Sequence, residues 1–404
     1  MSKKEKRATV LPKYRFPEFI GDNEWNVATL RNITTPIQKR AGANKYMLMS
    51  VTSGVGLVPQ KEKFGREIAG SAYKNYIVIQ RGDFAYNKSA TKQFPEGYIA
   101  MLIDYDEAAL PNSIFTCFRI IDEQVCADFL NHIFQSNYHG SWLRKFIAVS
   151  ARAHGSLNID DKHLWEMPVV MPELPEQQRI VDCLSSLDEL IAAENKKLET
   201  LKTHKKGLMQ KLFPAEGKTI PEWRFPEFRS SDEWEEKSLS SLCTMQAGKF
   251  VPASDLHEKK KSDMYPCYGG NGMRGYTNSF THSGEYSLIG RQGALCGNVI
   301  YVNEDFHATE HAVVATSKKT IVPKWLYYLL LKLDLNQHAT GQAQPGLSVQ
   351  TLEKIASCAP KDKYEQQKIA DCLSDADTLI TAQVDKIEAL RLCLRSRSVT
   401  HIWP

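Results

Sequence analysis

Two stretches of the chain carry apolar residues at alternating steps of four and three. The first runs Ile180, Leu184, Leu187, Ile191, Glu194, Leu198, Leu201, Lys205, Leu208 and Leu212. The second runs Ile369, Leu373, Ala376, Ile380, Gln383, Ile387, Leu390 and Leu394 in the same register. A sustained 3.5-residue period predicts a coiled-coil seam rather than a lone amphipathic helix. Matching stripes in one polypeptide are most simply satisfied by pairing with each other, and a pseudo-twofold between them requires an antiparallel pair. About forty helical residues at 1.5 Å each make a rod of roughly 60 Å. One turn of B-DNA is about 34–36 Å, so such a rod can hold two readers roughly a helical turn apart on one side of a duplex. Glu194 and Gln383 occupy the same seam slot. A polar group there fixes register at a cost in stability, or else docks another subunit.

The regions ahead of the helices mix strand-like runs, such as Tyr76-Ile77-Val78-Ile79, with a helical stretch near Ala127 to Phe134. They also repeat each other. Leu11-Pro12-Lys13-Tyr14-Arg15-Phe16-Pro17-Glu18-Phe19 returns as Ile220-Pro221-Glu222-Trp223-Arg224-Phe225-Pro226-Glu227-Phe228, and the match continues to Trp25 and Trp234. Glu176-Gln177-Gln178-Arg179-Ile180 returns as Glu365-Gln366-Gln367-Lys368-Ile369. Gly82-Asp83-Phe84-Ala85 matches Gly284-Glu285-Tyr286-Ser287, each opening an alternating strand pattern. Elsewhere the two regions diverge. A duplicated unit gives one chain the symmetry of a homodimer, the usual device for reading two half-sites on DNA.

The predicted organisation is α+β, with an internal pseudo-twofold repeat. It consists of an N-terminal extension (1–14), a first mixed domain (15–172), a central helix (173–214), a second mixed domain (215–360) and a second helical region (361–404). Pro214, Gly217 and Pro221 mark the linker.

Composition changes this picture little. The 404 residues exceed what one core serves, and 42% hydrophobic with 24% charged residues suits a soluble protein. No run reaches membrane-span length, and Met1 to Arg7 is charged with no apolar signal segment after it. Nine cysteines form no C-x-x-C pair or zinc-like cluster, so free thiols in a reducing cytoplasm are expected. Net charge is only +4, with a pI near 8.4. If the chain binds DNA, it neutralises few phosphates, and a partner supplies the rest.

The search for chemistry is negative. Gly270-Asn271-Gly272-Met273-Arg274-Gly275 fits G-x-G-x-x-G, but no helical pattern follows it, so a polar glycine-rich surface loop is expected. Ala247-Gly248-Lys249-Phe250 lacks the rest of a phosphate loop. No Asn-Pro-Pro-aromatic box and no nuclease centre stand out. His154, His307 and His311 read as polar surface residues, and Cys183 and Cys372 as small side chains beside the seam. Lys259-Lys260-Lys261 could track phosphates or simply be solvated. Base readers must be polar, forked and on loops. In the first region the candidates are Thr52, Ser53, Arg81, Lys88, Lys92, Arg152 and His154. In the second they are Asn271, Arg274, Arg291, Gln292, Gln342 and Gln344.

The helix start Pro172-Glu173-Leu174-Pro175-Glu176-Gln177-Gln178-Arg179-Ile180 and the exit Lys206-Gly207-Leu208-Met209-Gln210-Lys211-Leu212-Phe213-Pro214, with the duplicated Arg-Phe-Pro-Glu-Phe motifs, resemble the specificity subunit of a type I restriction-modification enzyme. The resemblance covers essentially the whole chain. It implies two target-recognition domains, each reading one half of a split, asymmetric site in double-stranded DNA. It implies helices that hold them apart and dock two methyltransferase subunits, which carry S-adenosylmethionine and methylate adenine. Two further ATP- and Mg-dependent translocase subunits would complete the complex, and this chain would be no enzyme itself. One departure is that the second helix ends Leu390-Arg391-Leu392-Cys393-Leu394-Arg395-Ser396-Arg397-Ser398, without a copy of the exit. The rivals are a stand-alone architectural or regulatory DNA-binding protein and a coiled-coil adaptor with no DNA role. The mass of the isolated complex separates the first two, and sequence-dependent DNA binding excludes the third.

Overall fold

The computed structural model describes residues 8–69, 71–147, 157, 159–293, 295–341 and 345–397. The chain divides into two compact units, one formed by residues up to Glu194 together with those from Lys386 onward, the other by Asn195–Asp385. Both boundaries fall inside long helices. Helix α1 is Ala127–Gln135, α2 is Leu174–Leu212, α3 is Pro323–Lys332 and α4 is Lys363–Arg397. Each unit therefore holds a segment of both α2 and α4.

In the first unit, strands Thr34–Pro36, Phe115–Ile120, Phe84–Asn87 and Tyr98–Met101 make one antiparallel sheet in that order. Side chains on its one face, Phe84, Tyr86, Ile99, Met101 and Phe118, pack on α1 through Phe129, Ile133 and Phe134. Those on the other, Ala85, Tyr98, Ala100 and Cys117, pack on a second sheet through Met49, Val51, Ile77 and Ile79. That sheet orders its strands Gly56–Pro59, Met47–Thr52, Glu107–Leu110, Ile77–Gln80. The strand after Gly82 therefore departs from the expected inside–outside alternation. All four residues of Phe84–Asn87 are buried, because both faces of the sheet are covered.

The second unit is built on a six-stranded sheet in the order Cys243–Ala247, Ala312–Ser317, His282–Gly290, Val299–Ala308, Tyr265–Gly269, Gly272–Thr277. One face buries Ile289, Val299, Val313 and Ala315 with Trp325 and Leu329 of α3 and with Trp234. The other carries a smaller apolar group, Leu288, Val302, Phe306 and Val314. The G-x-G-x-x-G segment is not a surface loop. Tyr265–Gly269 and Gly272–Thr277 form a hairpin, with Tyr265 opposite Thr277 and Gly269 opposite Gly272. No helix follows, so the geometry of a dinucleotide site is absent.

Both units keep a shared frame. Trp25–Thr29 pairs antiparallel with Pro168–Met171, and Glu235–Ser238 with Ala356–Ala359. Each pair brings the duplicated lead-in motif beside the start of a long helix. Asp362 caps α4, its side chain accepting from the Tyr364 amide at 2.8 Å. Pro175 sits in the first turn of α2, where its missing N–H costs nothing, and Pro214 follows its end.

The seam positions lie on one stripe of each helix. Ile180, Leu184, Glu194, Leu198 and Leu212 are buried; Leu187, Ile191, Leu201, Lys205 and Leu208 are half-buried. On α4, Ile369, Leu373, Gln383 and Ile387 are buried, and Ala376, Ile380, Leu390 and Leu394 half-buried. Within the second unit, Lys205 Nζ meets Asp377 at 2.5 Å, while Leu212 shares a core with Ile369 and Leu373. Within the first, Lys386 Nζ meets Glu194 at 2.6 Å, and Leu394 packs on the core that holds Ile180 and Leu184. In each unit numbering rises along α2 as it falls along α4, so the helices pair antiparallel.

Candidate nucleic-acid interface

The duplicated motifs explain one another. Arg15 donates through Nε and Nη2 to the two oxygens of Glu176 at 2.9 and 2.7 Å, and the Trp25 indole N–H adds a third bond at 3.2 Å. In the second unit Arg224 grips Glu365 at 2.7 and 2.8 Å, with Trp234 again at 3.2 Å. Glu176 and Glu365 are almost fully buried, so these bidentate, charge-assisted bonds act where water cannot replace them. The carboxylates raise the affinity of both guanidinium groups for their protons.

The glutamine that follows ties each helix into its sheet domain. Gln177 accepts from the Cys126 amide and donates to the Gln124 and Pro172 carbonyls. Gln366 accepts from Val322 and donates to Thr320 and Pro360. Glu18–Arg179 and Glu227–Lys368 close the outside. This clamp fixes each domain on the start of its helix, and its pairings are invisible in the sequence except as repetition.

The loops set on this frame differ between units. In the first, Thr52 ends strand Met47–Thr52 and Ser53 opens the turn after it, against the loop that carries Lys92. A Cβ at Gly54 would lie 3.2 Å from the Phe94 ring, and Asn87 bonds the Val51 carbonyl at 3.4 Å. Lys88 begins that loop and pairs with Asp161 at 2.5 Å; Lys92 is exposed. The structure thus brings Thr52, Ser53, Lys88 and Lys92 together. Arg81 lies apart from them, at the opposite end of strand Phe84–Asn87, bound to Asp106 and the Ile103 carbonyl. Arg152 and His154 lie outside the described residues.

In the second unit Asn271 and Arg274 sit on the hairpin, and Arg291 and Gln292 on the turn after His282–Gly290. Gly270 packs these two elements together: a Cβ there would lie 2.6 Å from the His311 carbonyl oxygen and 3.3 Å from the Arg291 nitrogen. Gln292 bridges Gly346, which places residues 291–293 against the segment after Gln342 and Gln344; those two glutamines fall outside the described residues. Lys259, Lys260 and Lys261 are exposed ahead of the hairpin.

His307 differs from its expected surface role, and His311 keeps it with a side chain 43% exposed. His307 is buried in strand Val299–Ala308, where its Nε2 lies 3.4 Å from the Lys249 carbonyl. His311 stands in the turn between strands Val299–Ala308 and Ala312–Ser317 and contacts both Gln292 and Glu310. The sequence placed it at the surface, but not beside Gln292, which comes from another turn and is brought near by strand order. Cys183 and Cys372 are half-buried free thiols.

Among the described residues no group of His, Cys, Asp and Glu could hold a metal, and no helix is long and apolar enough to cross a membrane. A duplicated α+β frame thus carries different loops on each copy and antiparallel helices in both. Comparison with known proteins gives this architecture a family. Residues 54–203 and 231–390 match the model of the type I restriction modification DNA specificity domain. The chain is 32% identical over 294 residues to the EcoprrI specificity subunit of Escherichia coli, covering 71% of each. It is 26% identical over 262 residues to the MjaVIII specificity subunit of Methanocaldococcus jannaschii, covering 58% of this chain and 61% of that one. The type I S subunit from M. genitalium shares the fold, with a TM-score of 0.60 at 15% identity over 98% of this chain and 99% of that one. The chain belongs to the type I restriction-modification DNA specificity family.

Proposed function

We propose that this chain chooses the DNA sequence for a type I restriction-modification complex, each unit reading one half of a bipartite, asymmetric site. The observation that carries this reading is the pair of identical clamps beneath unlike loops: Arg15–Glu176 and Arg224–Glu365 hold the same frame, whereas Thr52, Ser53, Lys88 and Lys92 have no counterparts in Asn271, Arg274, Arg291 and Gln292. Each good bidentate base contact discriminates by about 1–3 kcal/mol, so a few per unit suffice for a short half-site. The two long helices set the length of the unread spacer.

The same helices dock two methyltransferase subunits. Leu190 and Leu379, at equivalent repeat positions outside the seam, are exposed and supply a matching apolar contact for each copy. S-adenosylmethionine belongs to those partners, and ATP and Mg to two translocase subunits; the chain itself carries out no chemistry and works in the cytoplasm. Modest net charge favours this over a stand-alone DNA-binding protein, which would have to neutralise phosphates unaided. The test is to exchange residues 220–360 for those of another such subunit and sequence modified bases in the host. One half of the methylated motif should change, and a change in both halves refutes separate readers.

A further inference from the structure

The turn Thr309-Glu310-His311 is locked in place by backbone packing. A Cβ at Gly248 would lie 2.3 Å from the Ala308 carbonyl oxygen, and one at Gly290 would lie 2.4 Å from that of Gly270. The Arg291 amide bonds the His311 carbonyl at 3.0 Å, and Thr309 bonds that of Tyr268 at 2.8 Å. On this rigid seat His311 is held at both ring nitrogens. Its Nε2 lies 3.1 Å from a Glu310 carboxylate oxygen and its Nδ1 3.0 Å from Oε1 of Gln292. Both partners are acceptors, so the ring makes both contacts as the imidazolium, with a hydrogen on each nitrogen. Gln292 is exposed, and its backbone is fixed in turn by the bridge to Gly346 and by Leu347 donating to the Arg291 carbonyl.

A free glutamine amide turns readily and presents its donor and acceptor in either order. An amide whose Oε1 accepts from Nδ1 of an anchored imidazolium presents one order only. The remaining lone pair on Oε1 and an N–H on Nε2 then form a fixed acceptor–donor edge. That edge matches the N6 donor and N7 acceptor of adenine in the major groove, the pairing for which glutamine is suited. Three positions on, Leu295 is 53% exposed, an apolar side chain of the kind that can contact a thymine methyl group.

We propose that Gln292 reads an adenine in the half-site of the second unit and that His311, oriented by Glu310, is a positioning residue that sets the order of its amide. This rests on the reading of that unit as DNA-facing. The test uses the full chain assembled with its methyltransferase partners and duplexes that differ at single base pairs. Wild-type protein should prefer A·T at one position of the second half-site by about ten- to a hundredfold. Gln292→Ala should abolish that preference at that position alone. His311→Ala should reproduce the loss, and His311→Gln, which can still donate to the amide, should restore much of it. Unchanged preference in Gln292→Ala, or equal weakening at every position, overturns the proposal. Intact discrimination in the first half-site reports a folded complex. If wild-type protein shows no split preference at all, the DNA-reading function itself fails, a separate result.

Discussion

Glu365 lies at the centre of the second unit's clamp, facing a guanidinium only 9% exposed and a buried indole N–H. Removing one member of a buried, hydrogen-bonded ion pair leaves the other uncompensated, at a cost of about 3–5 kcal/mol. Glu365→Ala should therefore destabilise the second unit by that amount, and hydrogen exchange should rise there while the first unit keeps its protection. His139 makes a different case. Burial pushes its imidazole down to about 4, with only the Gly97 carbonyl at 3.3 Å beside Nε2. The unfolded state then binds the proton first, so its contribution is full above pH 6.5 and is lost as pH falls toward 4. The whole window is worth roughly 3 kcal/mol. Denaturant titrations across that range should show the loss, and His139→Gln should flatten it; an unaltered slope would discount the residue.

The paired helices were legible as elements because a 3.5-residue stripe is a local signal repeated many times. Helix α1 and strand Ile77–Gln80 also stand where apolar patterning placed them. The burial of both faces at Phe84–Asn87 was not legible, since it depends on a second sheet built from distant segments. The antiparallel seam makes a prediction at this scale. Four residues inserted at Thr203 lengthen α2 by about 6 Å. Preferred spacer length should grow by one or two base pairs with both half-sites retained, as read from the methylated motif. Altered half-site sequences would show that helix length does not set the spacer.

For the whole chain, duplication was plain from Arg-Phe-Pro-Glu-Phe and Glu-Gln-Gln, but what the two motifs do for each other within each copy was not. Arg15 and Glu176 stand 161 positions apart, and only the pairing of Trp25–Thr29 with Pro168–Met171 brings them together. The candidate readers were chosen by residue type, which says nothing of their grouping: the structure gathers four in the first unit, sets Arg81 aside, and places His311 against Gln292 in the second. Arg274, Arg291 and Gln292 all project from a framework whose backbone contacts at Gly248, Gly270 and Gly290 leave no room for a methyl group. Variation that touched those glycines would wedge the strands apart and, on the proposed function, forfeit recognition with them. Drift toward new targets is therefore channelled into the projecting tips, which can be traded one at a time while the lattice beneath them is inherited unaltered.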